Sequence, residues 1–398
     1  MLNPAGPGLI VLLGAMVAVA PLAMDIYLAS MPSMATALDT SDDRVQLTLS
    51  LYMYAWSAAQ VLIGPLTDRF GRRPTLIAGL ALFVAASIVC SSARNIETLI
   101  AGRVVQALAM ATVAVVPRAV VRDLYSGEHA ARVLSLMGIV LGVAPIVAPI
   151  IGSHLHVWFG WQANFVFVAA YGAIALACVV LVVPETIRAR NPQATHFRVM
   201  VANYARLLHS RKFVGYLLVA AFSTSGLFAY IAGAAFVFIS VLGTGAETFG
   251  LLFGAVMLGN IVGAAIGSRR VGRVGIDRML HASTWLMLVA GLSVALLAWA
   301  RVSHPLAVVA PMFLFMVAFM TTMPQATAGA LTPFPEIAGS ASALLSFLQL
   351  GTGATAALVV GLAFDGTQRP MATAIAAASV ATFASYRLVV RTRPRPAA

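Results

Sequence analysis

Asp25 is the acid that stands out. Of the thirteen aspartates and glutamates, it alone lies well inside an apolar run. A charge near the centre of a bilayer costs on the order of 3 kcal/mol or more, so it persists only where it faces protein or a water-filled interior. Shielding from water favours the neutral form of a carboxyl group. A lone carboxylate poised between the two forms is a natural proton carrier; the competing reading is a structural polar contact inside a bundle. Arg103 is the second such residue. It sits about two turns into another apolar run, with Gln106 at i+3 on the same face. An arginine there needs a carboxylate, a carbonyl or water. Asp25 is a candidate partner; the competing reading is an arginine bound to backbone carbonyls. Arg118, near the other end of the same run, can snorkel toward headgroups and is read as structural.

These residues need a scaffold that tolerates them. The chain has 398 residues, 61% hydrophobic and 10% charged, against about 25% charged in an average soluble domain. Lipid as solvent explains the surplus. Apolar runs fall at 9–33, 46–66, 75–93, 97–121, 131–153, 162–183, 213–241, 247–267, 279–300, 305–331, 337–362 and 371–390. Each suits a helix of roughly 20 residues, because an isolated strand in lipid leaves its backbone unpaired. The first run has no basic segment before it and is followed by similar runs, so it reads as a span rather than a signal peptide. The longest polar stretch divides the runs six and six. The expectation is an all-α integral membrane protein of twelve transmembrane helices in two six-helix bundles, 1–184 and 212–398, joined by a cytoplasmic linker, 185–211.

The net charge of +12 is almost all arginine. With the N-terminus inside, 19 of the 25 basic residues fall in inner loops and tails, including Arg188, Arg190, Arg391, Arg393 and Arg395. Arg44, Arg94, Arg301 and Arg369 fall outside, and Arg103 and Arg118 lie within spans. That bias is a positive-inside signal. It places both termini in the cytoplasm and excludes nucleic-acid binding, because the arginines are scattered over many short loops. Asp25 and Arg103 are then both nearer the outer ends of their spans. Cys90 and Cys178 lie in apolar runs and read as small core residues. His154 and His156, at i and i+2, are not side by side on a helix. No metal-ligand or nucleophile–base arrangement is evident, so an enzyme is not expected.

The most specific motif is the loop Gly64-Pro65-Leu66-Thr67-Asp68-Arg69-Phe70-Gly71-Arg72-Arg73-Pro74. Asp68 and Arg72 can pair, and Asp123 at the inner end of the fourth span can join them, making a latch that breaks when the halves rock. In the fifth span Gly138 and Gly142 allow close packing, and Pro145 and Pro149 bend the helix. Gly259, Gly263 and Gly267 make another small-residue face in the eighth.

On these residues the chain resembles the major facilitator superfamily. Gly64–Arg73 resembles its loop 2–3 signature, and Arg103 with Gln106 the fourth-helix signature of drug/proton antiporters. Gly138–Gly152 resembles the fifth-helix antiporter signature, with Ala148 where glycine is usual. Met24-Asp25-Ile26-Tyr27-Leu28, Gln46-Leu47-Thr48-Leu49-Ser50, Val121-Arg122-Asp123-Leu124-Tyr125, Pro184-Glu185-Thr186 and Ile337-Ala338-Gly339-Ser340-Ala341 narrow the resemblance to the bicyclomycin and chloramphenicol resistance branch, Bcr/CflA. The loop at Gly272-Arg273 resembles a worn second copy, with Arg269 where its aspartate would stand.

The resemblance implies drug efflux from the cytoplasm of a bacterium, across its inner membrane, in exchange for protons. It carries over Asp25 and Arg103 for proton coupling, and Asp68 and Arg72 for gating. Asp123, Pro145 and Pro149 join the gating set. Tyr27, Tyr54, Tyr230, Phe236 and Gln349, with Asp25 and Gln106, are candidates to line a mostly apolar cavity suited to lipophilic ligands. The expected partners are a small-molecule drug, protons and membrane lipid, with a monomeric chain and no cofactor, the proton gradient supplying the energy. An exporter of an amino acid, small peptide or sugar on the same fold is the alternative.

Overall fold

The computed structural model describes residues 7–125, 127–187 and 197–390. Arg188, Arg190, Arg391, Arg393 and Arg395, counted above as cytoplasmic, lie outside them. Among the described residues all regular structure is helical. The first apolar run does not stay whole. It forms α1, Pro7–Asp25, breaks after the acid, passes through a 3-10 turn at Leu28–Ser30 and resumes as α2, Met31–Ala37. Then come α3 (Asp42–Phe70), α4 (Arg72–Ser91), α5 (Ile96–Leu124), α6 (Gly127–Phe159) and α7 (Gln162–Val182). The expected linker contains a helix of its own, α8 (Phe197–His209). It packs on the second series with Leu207 fully buried. That series is α9 (Arg211–Ala235), α10 (Ala246–Val274), α11 (Ile276–Trp299), α12 (Leu306–Leu331), α13 (Ala338–Leu362) and α14 (Arg369–Ser385).

Eleven spans among the described residues are long and apolar enough to cross a bilayer, the first of them Gly8–Ala37. The twelfth long helix, α3, has 29 residues, about 44 Å of helix. It is less apolar because it buries Gln46, Thr48, Ser50, Tyr52 and Ser57. A polar face inside a span marks function more often than packing.

The chain forms two compact units. One runs to His196 and includes Gly243–Gly254; the other comprises Phe197–Leu242 and the chain from Ala255. Both use the same pairings. In the first unit the third span packs on the fourth and sixth (α4 on α5 and α7), and the first on the fifth (α1 on α6). In the second, α11 packs on α12 and α14, and α9 on α13. Large apolar side chains such as Ile174, Leu181, Leu296 and Leu362 point outward, more than 60% exposed, as lipid-facing surface requires.

The two units differ inside. Among the described residues, the buried charged side chains are Asp25 and Arg103, both in the first unit. The second buries hydroxyls and two amides, Gln325 and Gln368, the hydroxyls including those of Ser223, Thr224, Thr321, Thr322, Ser379 and Thr382. Several of these hydroxyls bond back to their own helix, as Thr224 does to the Ala220 carbonyl at 2.8 Å and Thr382 to Ala378 at 2.9 Å. That satisfies them without a partner helix.

The glycines divide unexpectedly. A methyl group at Gly138 or Gly142 would meet nothing within 4 Å, so the close packing expected of them is absent. Gly152 on the same helix is the tight one: a Cβ there would run into the Ile26 carbonyl, in the break after α1. Gly259 and Gly263 let α10 lie against the α12 backbone at Phe313 and Val317, whereas Gly267 has room. Gly152→Ala should therefore destabilise the purified protein by about 1–3 kcal/mol, and Gly138→Ala should stay within about 0.5 kcal/mol of wild type. Thermal unfolding in detergent separates the two; equal effects would remove the close approach at Ile26.

Candidate functional site

Arg103 is set on α5, whose start is capped by Asn95 accepting from the Thr98 N–H at 2.8 Å. Its guanidinium is fully buried. The break in the first span explains how. The last carbonyls of a helix have no partner within it and favour a cation. One of them, Ala23 O, accepts from Arg103 Nη1 at 2.9 Å. The same nitrogen donates to Gln106 Oε1 at 2.6 Å, and Gln106 Nε2 donates to Ser87 Oγ at 2.7 Å. This chain of bonds ties α1, α5 and α4 together.

Aromatic rings enclose the charge. The guanidinium carbon lies 4.4 Å from the Tyr27 ring centroid and 4.0 Å from that of Tyr52, with Phe165 at 5.9 Å. Tyr27 is held in turn by a hydroxyl bond with Thr48 at 3.1 Å and by Phe165 at 5.6 Å. Two hydrogen bonds from a charged donor, at ~1.5–3 kcal/mol each, and two desolvated cation–π contacts, at ~2 kcal/mol each, match a desolvation cost of several kcal/mol. No carboxylate is among these short contacts.

Asp25 is not its close partner. Among the described residues, no ion pair within 4.0 Å joins them, although the guanidinium charge acts on the carboxyl through space. Asp25 is 4% exposed, and its Oδ1 finds no hydrogen-bond donor among the described residues. The Tyr52 hydroxyl, Arg103 Nε and Nη2, and both ends of the Gln46 amide are also buried and unbonded. The buried Asp25 carboxyl and the unused donors of Arg103 and Tyr52 thus gather at the end of α1.

The residues singled out from sequence sort as follows. Asp25, Tyr27, Arg103 and Gln106 come together, with Gln106 fully enclosed and both ends of its amide engaged. Tyr54 is half-buried on α3; Tyr52, two residues earlier, is the ring on the arginine. Tyr230 and Phe236 are fully buried in the second unit, where Phe236 stacks on Phe364 at 5.5 Å, and Gln349 is half-buried there. Pro145 and Pro149 both lie inside α6, which continues through them for 33 residues. No group of three His, Cys, Asp or Glu among the described residues could hold a metal.

A second cluster forms where α3 turns into α4. Gly71, at φ +107°, makes the turn. Arg72 Nη1 donates to Asp68 Oδ1 at 2.6 Å and to Thr67 Oγ1 at 2.5 Å, and Arg72 Nε to Asp123 Oδ2 at 3.1 Å. Two members escaped the sequence reading. Thr186 Oγ1 donates to the same Asp123 oxygen at 3.0 Å. Glu185 Oε1 accepts from the Arg72 backbone N–H at 3.0 Å, placing its charge on the positive end of α4. A Cβ at position 71 would collide with the Glu185 carboxylate. The Pro184-Glu185-Thr186 stretch was visible as a motif, but nothing in its spacing points 113 residues back to Arg72.

Comparison with known proteins converges on one family. The Major Facilitator Superfamily model matches residues 13–357. The chain is 30% identical over 379 residues to a bicyclomycin resistance protein homolog of Haemophilus influenzae, covering 95% of this chain and 94% of that one. It is 29% identical over 364 residues to a chloramphenicol resistance protein of Pseudomonas aeruginosa, covering 88% and 83%. Among solved structures it is similar in fold to the nucleoside transporter NupG, with TM-score 0.75 at 12% identity over 96% of this chain and 99% of that one. The chain belongs to the major facilitator superfamily, as a membrane transporter and not an enzyme, in the bicyclomycin and chloramphenicol resistance branch.

Proposed function

We propose that this transporter exports small lipophilic antibiotics, chloramphenicol- or bicyclomycin-like, across the bacterial inner membrane in exchange for protons, with both termini cytoplasmic. The observation that carries the reading is the buried Asp25 carboxyl beside an Arg103 whose own bonds go elsewhere. Because Arg103 is held by a carbonyl, an amide and two rings, a proton can arrive on Asp25 or leave it without releasing the arginine. The carboxyl can then load and unload a proton repeatedly while the arginine stays in place. In the proposed cycle Asp25 is ionised when drug enters from the cytoplasm. It takes a proton on the outer side, and returning to the inward-facing state releases that proton.

The drive suffices for the latch. One charge crossing 100 mV is worth ~2.3 kcal/mol, and one pH unit adds ~1.4 kcal/mol. The Asp68–Arg72–Asp123 pairs are part-exposed, and such pairs are worth about 0–1 kcal/mol each. We assign Asp68, Arg72 and Asp123 to gating, with Glu185 and Thr186 positioning Arg72 and Asp123. The absence of buried charge in the second unit, among the described residues, favours an uncharged cargo over a zwitterionic metabolite.

Asp25→Asn should abolish drug-induced proton movement in proteoliposomes while leaving the unfolding temperature near wild type. Normal exchange by that variant would sink the coupling role. Tyr52→Phe should keep most transport because the ring remains, while Tyr52→Leu should lose tenfold or more, in line with a ~2 kcal/mol desolvated cation–π contact. Equal activity of the two would show that the ring on Arg103 is dispensable. Glu185→Ala should lower the maximal rate several-fold with apparent drug affinity unchanged; a change in affinity alone would move Glu185 from the latch to the binding site.

A further inference from the structure

Two of the four basic residues assigned to the outer loops, Arg301 in the loop after α11 and Arg369 at the first position of α14, lie where the loops before α12 and before α14 meet at one end of α11. Gln368 Nε2 donates to the Val302 carbonyl at 3.1 Å, joining the loops that carry them. The Arg369 guanidinium lies over the Trp299 ring, 4.8 Å from its centroid. The Trp299 indole N–H donates to Thr373 Oγ1 at 3.1 Å. Of the other two outer arginines, Arg44 is paired with Glu97 at 2.7 Å. Arg301 and Arg369 have no ion pair among the described residues. Asp365 offsets part of the Arg369 charge but is itself bonded by Thr367, at 2.6 Å from its hydroxyl and 3.0 Å from its N–H.

Along the helix from these arginines, Val289, Leu292, Ser293, Ala295, Leu296 and Trp299 line a shallow, open groove on the α11 face. The four largest of these side chains are 46% to 71% exposed among the described residues. They span eleven residues, about 15 Å of helix from first to last, which is half of the ~30 Å hydrocarbon thickness. The groove is therefore one leaflet long. It ends at a tryptophan, the residue that gathers at the membrane–water boundary, and the two arginines stand just beyond.

We propose that this half of α11 binds one anionic phospholipid, with an acyl chain along the groove and the phosphate at Arg301 and Arg369. The charge selects an anionic headgroup over a zwitterionic one. The groove selects a lipid over a free anion. The site does not depend on the transport reading, and the orientation proposed above decides only that the leaflet is the outer one.

Native mass spectrometry of the full chain, titrated with phosphatidylglycerol or phosphatidylcholine, tests the site. Wild type should retain one phosphatidylglycerol with a preference of about fivefold per basic residue, between roughly five- and twenty-five-fold. Arg301→Gln with Arg369→Gln should bring the ratio within about twofold of unity. Leu292→Gln with Leu296→Gln should weaken both lipids together. Excess glycerol 3-phosphate should not displace the bound lipid. Equal retention of the two lipids by wild type would overturn the proposal, as would an unchanged ratio in the double arginine variant. Efficient displacement by glycerol 3-phosphate would show a plain anion site instead. Each variant is compared at matched elution and unfolding temperature; if the arginine double variant fails that match, the wild-type ratio at high and low salt decides, a salt-independent preference overturning the electrostatic assignment.

Discussion

A fully buried guanidinium organises the first unit. Arg103 draws one hydrogen bond from the end of a helix, another from an amide, and stacking from two rings. Each of those partners exists because of a local feature. The carbonyl is available because the first span stops at Asp25. The amide is aimed because Ser87 on α4 holds its far end. The rings close because α3 gives up its apolar character along one face. Removing the charge would leave a polar pocket in lipid with nothing to neutralise it, so these features stand or fall together.

Holding a cation without a tight carboxylate has a chemical advantage. In a close salt bridge, protonating the acid destroys the bond and strands the base. Here the through-space attraction changes with the state of Asp25, but the short contacts of Arg103 do not. In the proton coupling proposed above, the acid is then the moving part and the base the fixed one. The same division recurs at the turn after α3. There Arg72 is held by Thr67 and by the backbone bond to Glu185 as well as by carboxylates, so losing one ion pair does not free it entirely.

Most of the scaffold was legible in the sequence, for one physical reason: the bilayer forbids unpaired backbone, and hydrophobicity therefore writes out the spans. Asp25, Arg103 and Gln106 were legible because they break that pattern, and the Asp68–Arg72–Asp123 set because of the loop motif that carries it. What stayed hidden depends on rotation and on distant contact. Tyr52 and Tyr54 are equivalent by composition, and only the rotation of α3 tells which ring meets the guanidinium. The break after Asp25 leaves no trace in hydrophobicity, since Ile26 and Leu28 are as apolar as their neighbours. Gly138 and Gly142 look like a packing motif, yet the close approach falls at Gly152, because that is where the broken span exposes a carbonyl. Glu185 was a motif without a role until the fold brought it to Arg72.

The two units share a pattern of helix pairing but not its chemistry, and this bears on how such proteins change over time. In the second unit, hydroxyls that return their bonds to their own helices can be exchanged for alanine, valine or one another without stranding a buried charge. Mutations there are electrostatically cheap. The first unit is the opposite, since a change at Asp25, Tyr52, Gln106 or Ser87 reaches the same guanidinium. Selection for a new compound can therefore act on one half of the molecule while the other is held nearly constant. If the coupling proposed above holds, a transporter built this way can broaden its range of cargo without having to reinvent how it is powered.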